Sequence, residues 1–370
     1  MKYHKLIVKT KSKVYPIYFG NNILNSVGGL IKKNLPAVKK ICIIVDDKLS
    51  SIILKKLTKS LNKYDVIIYK LSSSEKNKNI IVANNIIGKL LKKNFNRSDC
   101  VIAFGGGVVG DLSAFVSNLT KRGLKFINMP TTLLAQVDAS IGGKTGVNSN
   151  EGKNLIGTFY QPDFILTDVS ILNSLPKREM ISGYGEILKH SLILDRKFFF
   201  WLTKNAKKII YKKNNNILVK AIMKSCQIKN KIVSKDEKEK DLRMILNFGH
   251  TFGHAFERAK NFSKKLNHGE AVLLGMYIAS ELSFKKKMLD SKELFFIKKH
   301  YSALSLLANI KKFFKKKEIN NIVGFMKKDK KNFNEKINLI LLEKIGKTTK
   351  PKKINLKSKD IETFLKSYYS

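Results

Sequence analysis

The first half of the chain alternates short apolar runs with amphipathic helical patterns. Apolar runs with the length of buried strands occur at positions 41–45, 66–69, 101–104, 126–129 and 164–166. Apolar residues recur at helical spacing over positions 80–91, and two further short strands are predicted at 5–10 and 14–19. This alternation of strands and helices predicts a parallel sheet with helices on its faces.

The pattern changes near residue 175. From Arg178 onward the apolar positions follow helical periodicity, and the clear strand-like exception is the run 337–342. No internal repeat and no long linker rich in Pro, Gly or Ser separates the two patterns. We therefore predict an α/β domain over residues 1–172 and a mainly α-helical domain over residues 173–370.

Composition narrows the class of protein. The 370 residues include 72 Lys and Arg against 28 Asp and Glu, which gives a formal charge of +44. The excess is mostly Lys, spread over the whole chain without interleaved stacking aromatics, so we predict no specific nucleic-acid partner. The three cysteines stand singly, no apolar run has the length of a membrane span, and the N-terminus lacks an apolar signal core. These features predict a soluble, cytoplasmic protein with no membrane partner.

A glycine-rich turn follows the predicted strand at 101–104. Gly105 to Gly110 fits the spacing G-x-G-x-x-G and precedes a helical pattern that starts near Leu112. Such a turn lets the backbone approach a pyrophosphate at a helix N-terminus; the alternative is a tight turn without a ligand. The motif does not follow the first strand, and Pro130 stands where the ordinary dinucleotide fold has an acid. Asp46, at the end of an earlier strand, is suited either to bind a ribose diol or to cap a helix.

Residues 130–154 are too polar and too rich in glycine for a core element. They contain Asp138, Lys144, Lys153 and Asn154. Lysines beside exposed backbone N–H groups suit a phosphate or carboxylate ligand. In so Lys-rich a chain any single lysine is more simply a solvated surface residue, but the cluster with its glycines favours an anion site.

Histidines gather in one short segment. Of the six histidines, His250, His254 and His268 fall within 19 positions, and the first two are four apart, on one helical face. Thr251 stands where the metalloprotease motif has Glu, which argues against that class of enzyme. A catalytic metal needs about three protein ligands, and Glu186, predicted to begin an amphipathic helix, is the best third candidate. Each histidine taken alone is more simply a buried structural residue, but the clustering of the three favours a functional site.

Together these segments resemble the 3-dehydroquinate synthase family from about Asp46 to Lys331. The resemblance is carried by residues 105–111, 130–138, 142–144, 152–154, 186–189, 236–237, 246–255 and 268–272. The order and spacing of these motifs are more specific than any one of them. The resemblance implies a dehydroquinate synthase-like fold, with an N-terminal Rossmann-like NAD-binding domain and a C-terminal helical domain that binds metal and substrate.

The resemblance also implies a reaction. Members of this family convert 3-deoxy-D-arabino-heptulosonate 7-phosphate (DAHP), a phosphorylated sugar acid, to 3-dehydroquinate and phosphate. The steps are NAD-dependent oxidation, phosphate elimination, reduction and intramolecular aldol cyclisation, within the shikimate pathway to aromatic amino acids. The implied cofactors are NAD and Zn²⁺ or Co²⁺, the metal acting as a Lewis acid. The implied assembly is a homodimer.

Site residues carry over from the family by position. Metal ligation falls on Glu186, His250 and His268, and His254 matches a position that contacts substrate and transfers protons. The other catalytic and substrate-contacting positions are Arg122, Asp138, Lys144, Lys153, Asn154, Lys189, Lys229, Glu239, Arg243, Asn247 and Lys330 or its neighbour Lys331. The NAD-contacting positions are Asp46, Glu75, Lys78, Gly107, Val108, Val109, Gly110, Asp111, Thr131 and Thr132, together with Lys144 and Lys153.

A few positions depart from the family pattern. Ser73 and Ser74 replace the usual Asp-Gly before Glu75, Thr120 stands where an aromatic is common, and Asp241 replaces a usual Gly. The first change bears on the NAD contacts of that segment. Three alternatives stay open: a glycerol-dehydrogenase-like enzyme, which would release NADH, a cyclase for another sugar phosphate, and a basic nucleic-acid binder.

Overall fold

The computed structural model describes residues 3–263, 265–306, 308–327 and 336–370. Lys330 and Lys331, predicted to contact substrate, lie outside the described residues. Up to residue 168 the elements are β1 (His4–Lys9), β2 (Val14–Gly20), α1 (Val27–Asn34), β3 (Lys40–Asp46), α2 (Ser51–Ser60), β4 (Asp65–Leu71), α3 (Ile80–Lys92), β5 (Cys100–Gly105), α4 (Gly107–Leu119), β6 (Lys125–Pro130), β7 (Lys144–Ser149), β8 (Gly152–Phe159) and β9 (Phe164–Asp168).

The rest of the chain is mainly helical. Its elements are α5 (Lys177–Leu194), α6 (Arg196–Ile210), α7 (Asn215–Val233), α8 (His250–Ala259), α9 (His268–Lys285), α10 (Ser291–Ala303), α11 (Ile319–Lys327), β10 (Lys336–Leu339), β11 (Leu342–Lys344), β12 (Lys347–Thr348), β13 (Ile354–Lys357) and α12 (Ser358–Lys366). Within the described ranges, no helix combines the length and the apolar character needed to cross a membrane.

The chain divides into two compact units. The first comprises Met1–Met180 and Lys213–Lys238, and the second comprises Ile181–Lys212 and Glu239–Ser370. The change of pattern near residue 175 thus lies close to the end of the first segment. Helix α7, which the sequence analysis assigns to the helical domain, belongs to the first unit.

A seven-stranded sheet forms the centre of the first unit. Its strand order is β1-β2-β9-β6-β5-β3-β4, with β1 antiparallel to β2 and every other pair parallel. The chain moves from β3 outward to β4 and then returns to pair β5 with the other side of β3. Such a reversal opens a crevice at the carboxyl ends of the strands, where α/β proteins bind ligands. Asp46 ends β3 and Gly105 ends β5 at this crevice.

The sheet is buried on both faces because its inner strands are apolar at successive positions. In β3, Ile41, Ile43 and Val45 belong to the hydrophobic core on one face, and Cys42 and Ile44 belong to the core on the other. None of these five side chains is more than 2% exposed. Parallel strands covered by helices on both faces need such continuous apolar runs, which is why these strands stand out in the sequence.

In the second unit, a glycine allows α8 to begin directly against α9. Gly249, the residue before α8, has φ 79°, in the left-handed region. A Cβ at this position would lie 2.7 Å from the backbone nitrogen of Met276 on α9 and 3.0 Å from its Cα. Any other residue would therefore strain the backbone and also push α9 away.

The start of α9 approaches α5 just as closely. A Cβ at Gly269, the second residue of α9, would lie 2.6 Å from the carbonyl oxygen of Ser182 on α5. The start of α9 is also fixed by a capping box: the Asn267 side chain accepts from the Glu270 N–H at 2.9 Å, and the Glu270 carboxylate accepts from the Asn267 N–H at 2.9 Å. Helix α9 therefore has fixed contacts with both α5 and α8.

In the first unit, a buried carboxylate ties the β1–β2 turn to the segment after α7. Glu237 is 6% exposed and accepts hydrogen bonds from the Ser12 backbone N–H at 3.1 Å, from the Ser12 hydroxyl, and from Gln161 Nε2 at 2.7 Å. Burial raises the pKa of the Glu237 carboxyl, but the hydrogen bonds from Ser12 and Gln161 lower it more. The pKa of Glu237 therefore lies below its ordinary value.

Gly249→Ala should destabilise the protein because the new methyl group meets the backbone of Met276 and the left-handed conformation is strained. We expect the free energy of unfolding to fall by about 2–5 kcal/mol, measured by urea denaturation. The matched control is Gly324→Ala in α11, where a Cβ meets nothing within 4 Å and the helix gains about 0.5–1 kcal/mol. Equal stabilities of the two variants would contradict the close contact at Gly249.

Glu237→Gln should lower stability in a pH-dependent way. Because the folded pKa of Glu237 lies below the unfolded one, its ionised form stabilises the fold fully above about pH 4.3. That stabilisation is lost as the pH falls through the folded pKa. We expect a deficit of about 1–3 kcal/mol at pH 7 that shrinks at lower pH. Urea denaturation of both proteins across this range measures it, and a deficit independent of pH would argue against the ionised carboxylate.

Candidate active site

Three histidines of the second unit lie side by side. His250 is the first residue of α8, His254 follows one turn later, and His268 is the first residue of α9. The ring centroid of His250 lies 5.3 Å from that of His254 and 5.6 Å from that of His268. The ring centroids of His254 and His268 are 6.0 Å apart. The predicted helical face of His250 and His254 is present, and α9 brings His268 beside it.

Glu186 approaches the histidines from α5. Its side chain is 1% exposed, its Oε1 lies 3.6 Å from His250 Nε2, and it forms an ion pair with Lys189 one turn further along the helix. The prediction that Glu186 begins a helix is wrong, because α5 starts at Lys177 and Glu186 lies in its middle. Packing of α5 against α9, and not the direction of a helix end, brings this carboxylate to the histidines.

The geometry of these side chains fits a divalent metal ion. Ligand atoms of Glu186, His250 and His268 all lie within 4.8 Å of one another. Tetrahedral ligands about 2.1 Å from an ion stand about 3.4 Å apart, and the 3.6 Å between Glu186 and His250 is close to that value. Two imidazoles and one carboxylate are a donor set of catalytic zinc sites, which keep one position open for substrate. The residues therefore suit Zn²⁺ or Co²⁺.

Two of the histidines have an acceptor at Nδ1. His268 Nδ1 lies 2.9 Å from Glu257 Oε2, and His250 Nδ1 lies 3.3 Å from the carbonyl oxygen of Phe248. Burial lowers the pKa of His268, but the charge of Glu257 and its hydrogen bond raise it more, so that pKa lies above its usual value. With Nδ1 engaged, Nε2 is the ring nitrogen suited to ligation in both residues.

The other predicted residues of the second unit lie on the turn before α8 and on α5. Asn247 Nδ2 donates to Glu239 Oε1 at 2.9 Å, so the structure pairs these two residues. Arg243 is 4% exposed and Lys189 is 2% exposed, whereas His254 is exposed. Buried cations need anionic partners, and Lys189 has one in Glu186.

In the first unit, several residues predicted to contact NAD lie at the ends of neighbouring strands. Asp46 ends β3, and its Oδ2 accepts from the Ser73 hydroxyl at 2.7 Å. Helix α4 begins at Gly107, just past the end of β5. The Thr131 N–H donates to the Gly105 carbonyl at 2.9 Å, so the threonine pair 131–132 lies beside the glycine turn. The remaining residues predicted at this point lie at the start of α4, namely Val108, Val109, Gly110 and Asp111.

A buried lysine, Lys78, connects the start of α4 with β8. Lys78 is 3% exposed, and its Nζ lies 2.5 Å from both Asp111 Oδ2 and Asn154 Oδ1. Lys153, the neighbour of Asn154, lies 3.8 Å from Glu75 Oε2. The structure therefore joins five predicted residues in one polar network, although the family resemblance assigns Glu75, Lys78 and Asp111 to NAD, Asn154 to substrate and Lys153 to both.

A second lysine is paired elsewhere in the first unit. Lys229 Nζ on α7 lies 2.8 Å from Asp138 Oδ1, and Asp138 belongs to a π-helical turn over Ala135–Ala139. Such turns are frequent at functional sites. Lys144 and Arg122 are exposed. Lys144 starts β7, whereas Lys153 lies opposite its other end, about 13 Å along the hairpin, so the structure does not bring these two lysines together.

Three residues of these sites have no contact assigned to them in the sequence analysis, which names Ser73 only as a departure from the family pattern. Glu257 accepts from His268, Ser73 donates to Asp46, and Asn148 donates to Glu75 at 2.9 Å while accepting from the Asn154 N–H at 3.0 Å. Glu257 alone had a usable pattern, because it follows His250 by seven positions and so lies on the same helical face. The other two contacts depend on tertiary structure.

Solved structures of sugar phosphate cyclases share this fold. A 2-deoxy-scyllo-inosose synthase complexed with carbaglucose-6-phosphate, NAD⁺ and Co²⁺ is 23% identical, with a TM-score of 0.87, over 98% of this chain and 100% of that chain. The 2-epi-5-epi-valiolone synthase from Streptomyces hygroscopicus subsp. jinggangensis 5008, with NAD⁺ and Zn²⁺ bound, is 24% identical, with a TM-score of 0.84, over 96% of each chain.

Comparison with family models and curated sequences identifies the family of this chain. The family model for the 3-dehydroquinate synthase N-terminal region matches residues 68–182, and the model for its C-terminal region matches residues 183–332. The 3-dehydroquinate synthase of Pelagibacter ubique (strain HTCC1062) is 52% identical over 362 residues, which cover 98% of both chains. The chain therefore belongs to the 3-dehydroquinate synthase family.

Proposed function

We propose that this chain converts DAHP to 3-dehydroquinate and phosphate, as a carbon–oxygen lyase of the shikimate pathway. The observation that carries the proposal is the convergence of Glu186, His250 and His268 on one point, in a chain of this family. The identity of 52% to the Pelagibacter ubique enzyme over nearly the whole chain supports this substrate over those of other sugar phosphate cyclases.

Glu186, His250 and His268 would hold a divalent ion, Zn²⁺ or Co²⁺. When bound, the ion supplies a Lewis acid that acidifies a coordinated substrate hydroxyl. Lys189, buried and paired with Glu186, balances the charge of that carboxylate. The exposed imidazole of His254, beside His268, is suited to accept and return a proton at a ring nitrogen.

Asp46 and the turn Gly105–Gly107 would hold NAD. The cofactor supplies a hydride acceptor that is regenerated within each turnover. The Asp46 carboxylate, oriented by the Ser73 hydroxyl, suits the two hydroxyls of a ribose, and the N-terminus of α4 suits a pyrophosphate. Solved cyclases of the same fold contain NAD⁺, which supports the assignment.

Basic residues of each unit suit the phosphate and carboxylate of DAHP. We assign substrate contacts to Lys153, Asn154 and Lys229 of the first unit and to Lys189 and Arg243 of the second. Lys229 and Lys189 are each held by a carboxylate, from Asp138 and Glu186, so their ammonium groups are oriented before substrate binds. The homodimer and the cytoplasmic location stay predictions.

The reaction itself is tested with purified protein, NAD⁺, Co²⁺ or Zn²⁺ and DAHP. We expect one phosphate released per 3-dehydroquinate formed, measured by a phosphate assay and by chromatography, with no net NADH by absorbance. Removal of metal with a chelator should abolish turnover, and Zn²⁺ or Co²⁺ should restore it.

The variant Glu186→Gln is the specific control for this metal effect. It keeps the side-chain volume, and we expect about a hundredfold or greater loss of turnover with weaker metal binding. Full activity of metal-free protein would contradict the proposed role of the cluster, and stoichiometric NADH release would indicate a dehydrogenase instead.

Asp46→Ala should weaken NAD binding. Loss of charge-assisted hydrogen bonds to a ribose costs about 1.5–3 kcal/mol, which corresponds to about a 10- to 100-fold rise in the NAD⁺ Kd, measured by calorimetry. The matched control is Asp47→Ala, since Asp47 is the exposed neighbour with the same charge and should leave the Kd unchanged. Equal effects of the two substitutions would argue for a general charge effect and against ribose binding by Asp46.

A further inference from the structure

A buried carboxylate lies directly behind one of the candidate metal ligands. Glu257, on α8, is 7% exposed, and its Oε2 lies 2.9 Å from Nδ1 of His268 at the start of α9. A carboxylate buried to this degree is stable only with a partner that compensates its charge or donates hydrogen bonds to it. The contact therefore joins α8 and α9 at the point where His268 enters the cluster.

The hydrogen bond defines which nitrogen of His268 faces a ligand. An ionised carboxylate only accepts hydrogen bonds, so Nδ1 of His268 carries the proton that it donates to Glu257. The lone pair of the neutral ring is then on Nε2. His268 contributes to the set with Glu186 and His250, whose ligand atoms all lie within 4.8 Å of one another.

We infer that Glu257 is a positioning residue that fixes the tautomer and ring orientation of His268 for metal binding. The inference rests on the proposed metal site of Glu186, His250 and His268. Through the Nδ1 hydrogen bond, the negative charge of Glu257 makes Nε2 of His268 a stronger donor to a cation. Glu257 itself does not contact the ion or the substrate.

A competing arrangement uses the same residues. His254, Glu257 and His268 also offer ligand atoms within 4.8 Å of one another. In that case Glu257 would be a metal ligand. The arrangement is less favoured, since His254 is exposed and the nearest carboxylate oxygen of Glu257 already accepts from His268.

The test compares metal affinity and the Co²⁺ absorption spectrum in the full-length protein. Glu257→Gln keeps an acceptor but removes the charge, and Glu257→Leu removes both. We expect the Co²⁺ and Zn²⁺ Kd, measured by competition with a chromophoric chelator, to rise about 10-fold in the first variant and about 100-fold in the second. The visible bands of bound Co²⁺ should shift in both, with one ion bound per chain.

Glu281→Gln is the matched control. Glu281 lies on the same helix as His268, about 20 Å along its axis, and is paired with Lys298 at 2.7 Å and with Tyr368. The Glu281→Gln variant shows how much the loss of a paired carboxylate lowers stability when no candidate metal ligand is affected. We expect it to lower the melting temperature of the metal-free protein about as much as Glu257→Gln does, while its metal Kd and Co²⁺ spectrum stay those of the wild type.

The outcomes separate the inference from the proposed reaction. Wild-type metal affinity and an unchanged Co²⁺ spectrum in both Glu257 variants would overturn the inference. Binding of two ions per chain would also overturn it, and so would a Co²⁺ spectrum of Glu257→Gln that shows the loss of a metal ligand. A wild-type protein that binds no divalent ion would overturn the metal site and this role of Glu257 with it. Metal binding at Glu186 without formation of 3-dehydroquinate would contradict only the proposed reaction.

Discussion

The contact between Gly249 and the backbone of Met276 is the constraint on which the second unit's candidate site depends. Helices with ordinary side chains at their contact lie about 8–10 Å apart, and the missing side chain at Gly249 removes part of that separation. His250 follows this glycine directly, and Gly269 follows His268. Each histidine is thus next to a residue whose lack of a side chain sets a helix contact, so the ligand distances follow from backbone packing.

Burial distinguishes the lysines of the candidate sites from the many others in the chain. With 72 basic residues, charge alone identifies no site. Lys78, Lys189 and Lys229, however, are each less than 5% exposed and each paired with a carboxylate. An ammonium group loses its hydration on burial, and only an anionic partner compensates that loss. These three pairs therefore hold oriented positive charge, while the exposed lysines remain solvated.

The sequence predicted the strands of the seven-stranded sheet well, because a buried parallel strand is a continuous apolar run, as in β3. It did not predict β7 and β8, which lie in or next to the polar, glycine-rich stretch 130–154. It also predicted that a carboxylate, Glu186, joins His250 and His268. It could not place β5 beside β3, since strand order depends on pairing between distant segments. The position of Glu186 was predicted wrongly: the helical periodicity begins near Arg178, so Glu186 lies in the middle of α5 and not at its start. No sequence pattern indicated the contacts of Ser73 with Asp46 or of Asn148 with Glu75.

The division of the chain has a consequence for how the protein can be dissected. Its path passes from one unit to the other at residues 180–181, again at 212–213 and a third time at 238–239. Helix α7, which supplies Lys229 to Asp138, is therefore covalently bracketed by segments of the other unit. A fragment ending near residue 180 would lack that helix and leave its packing surface uncovered. A cut at residue 180 therefore does not separate the two units, because the first unit also needs the segment Lys213–Lys238.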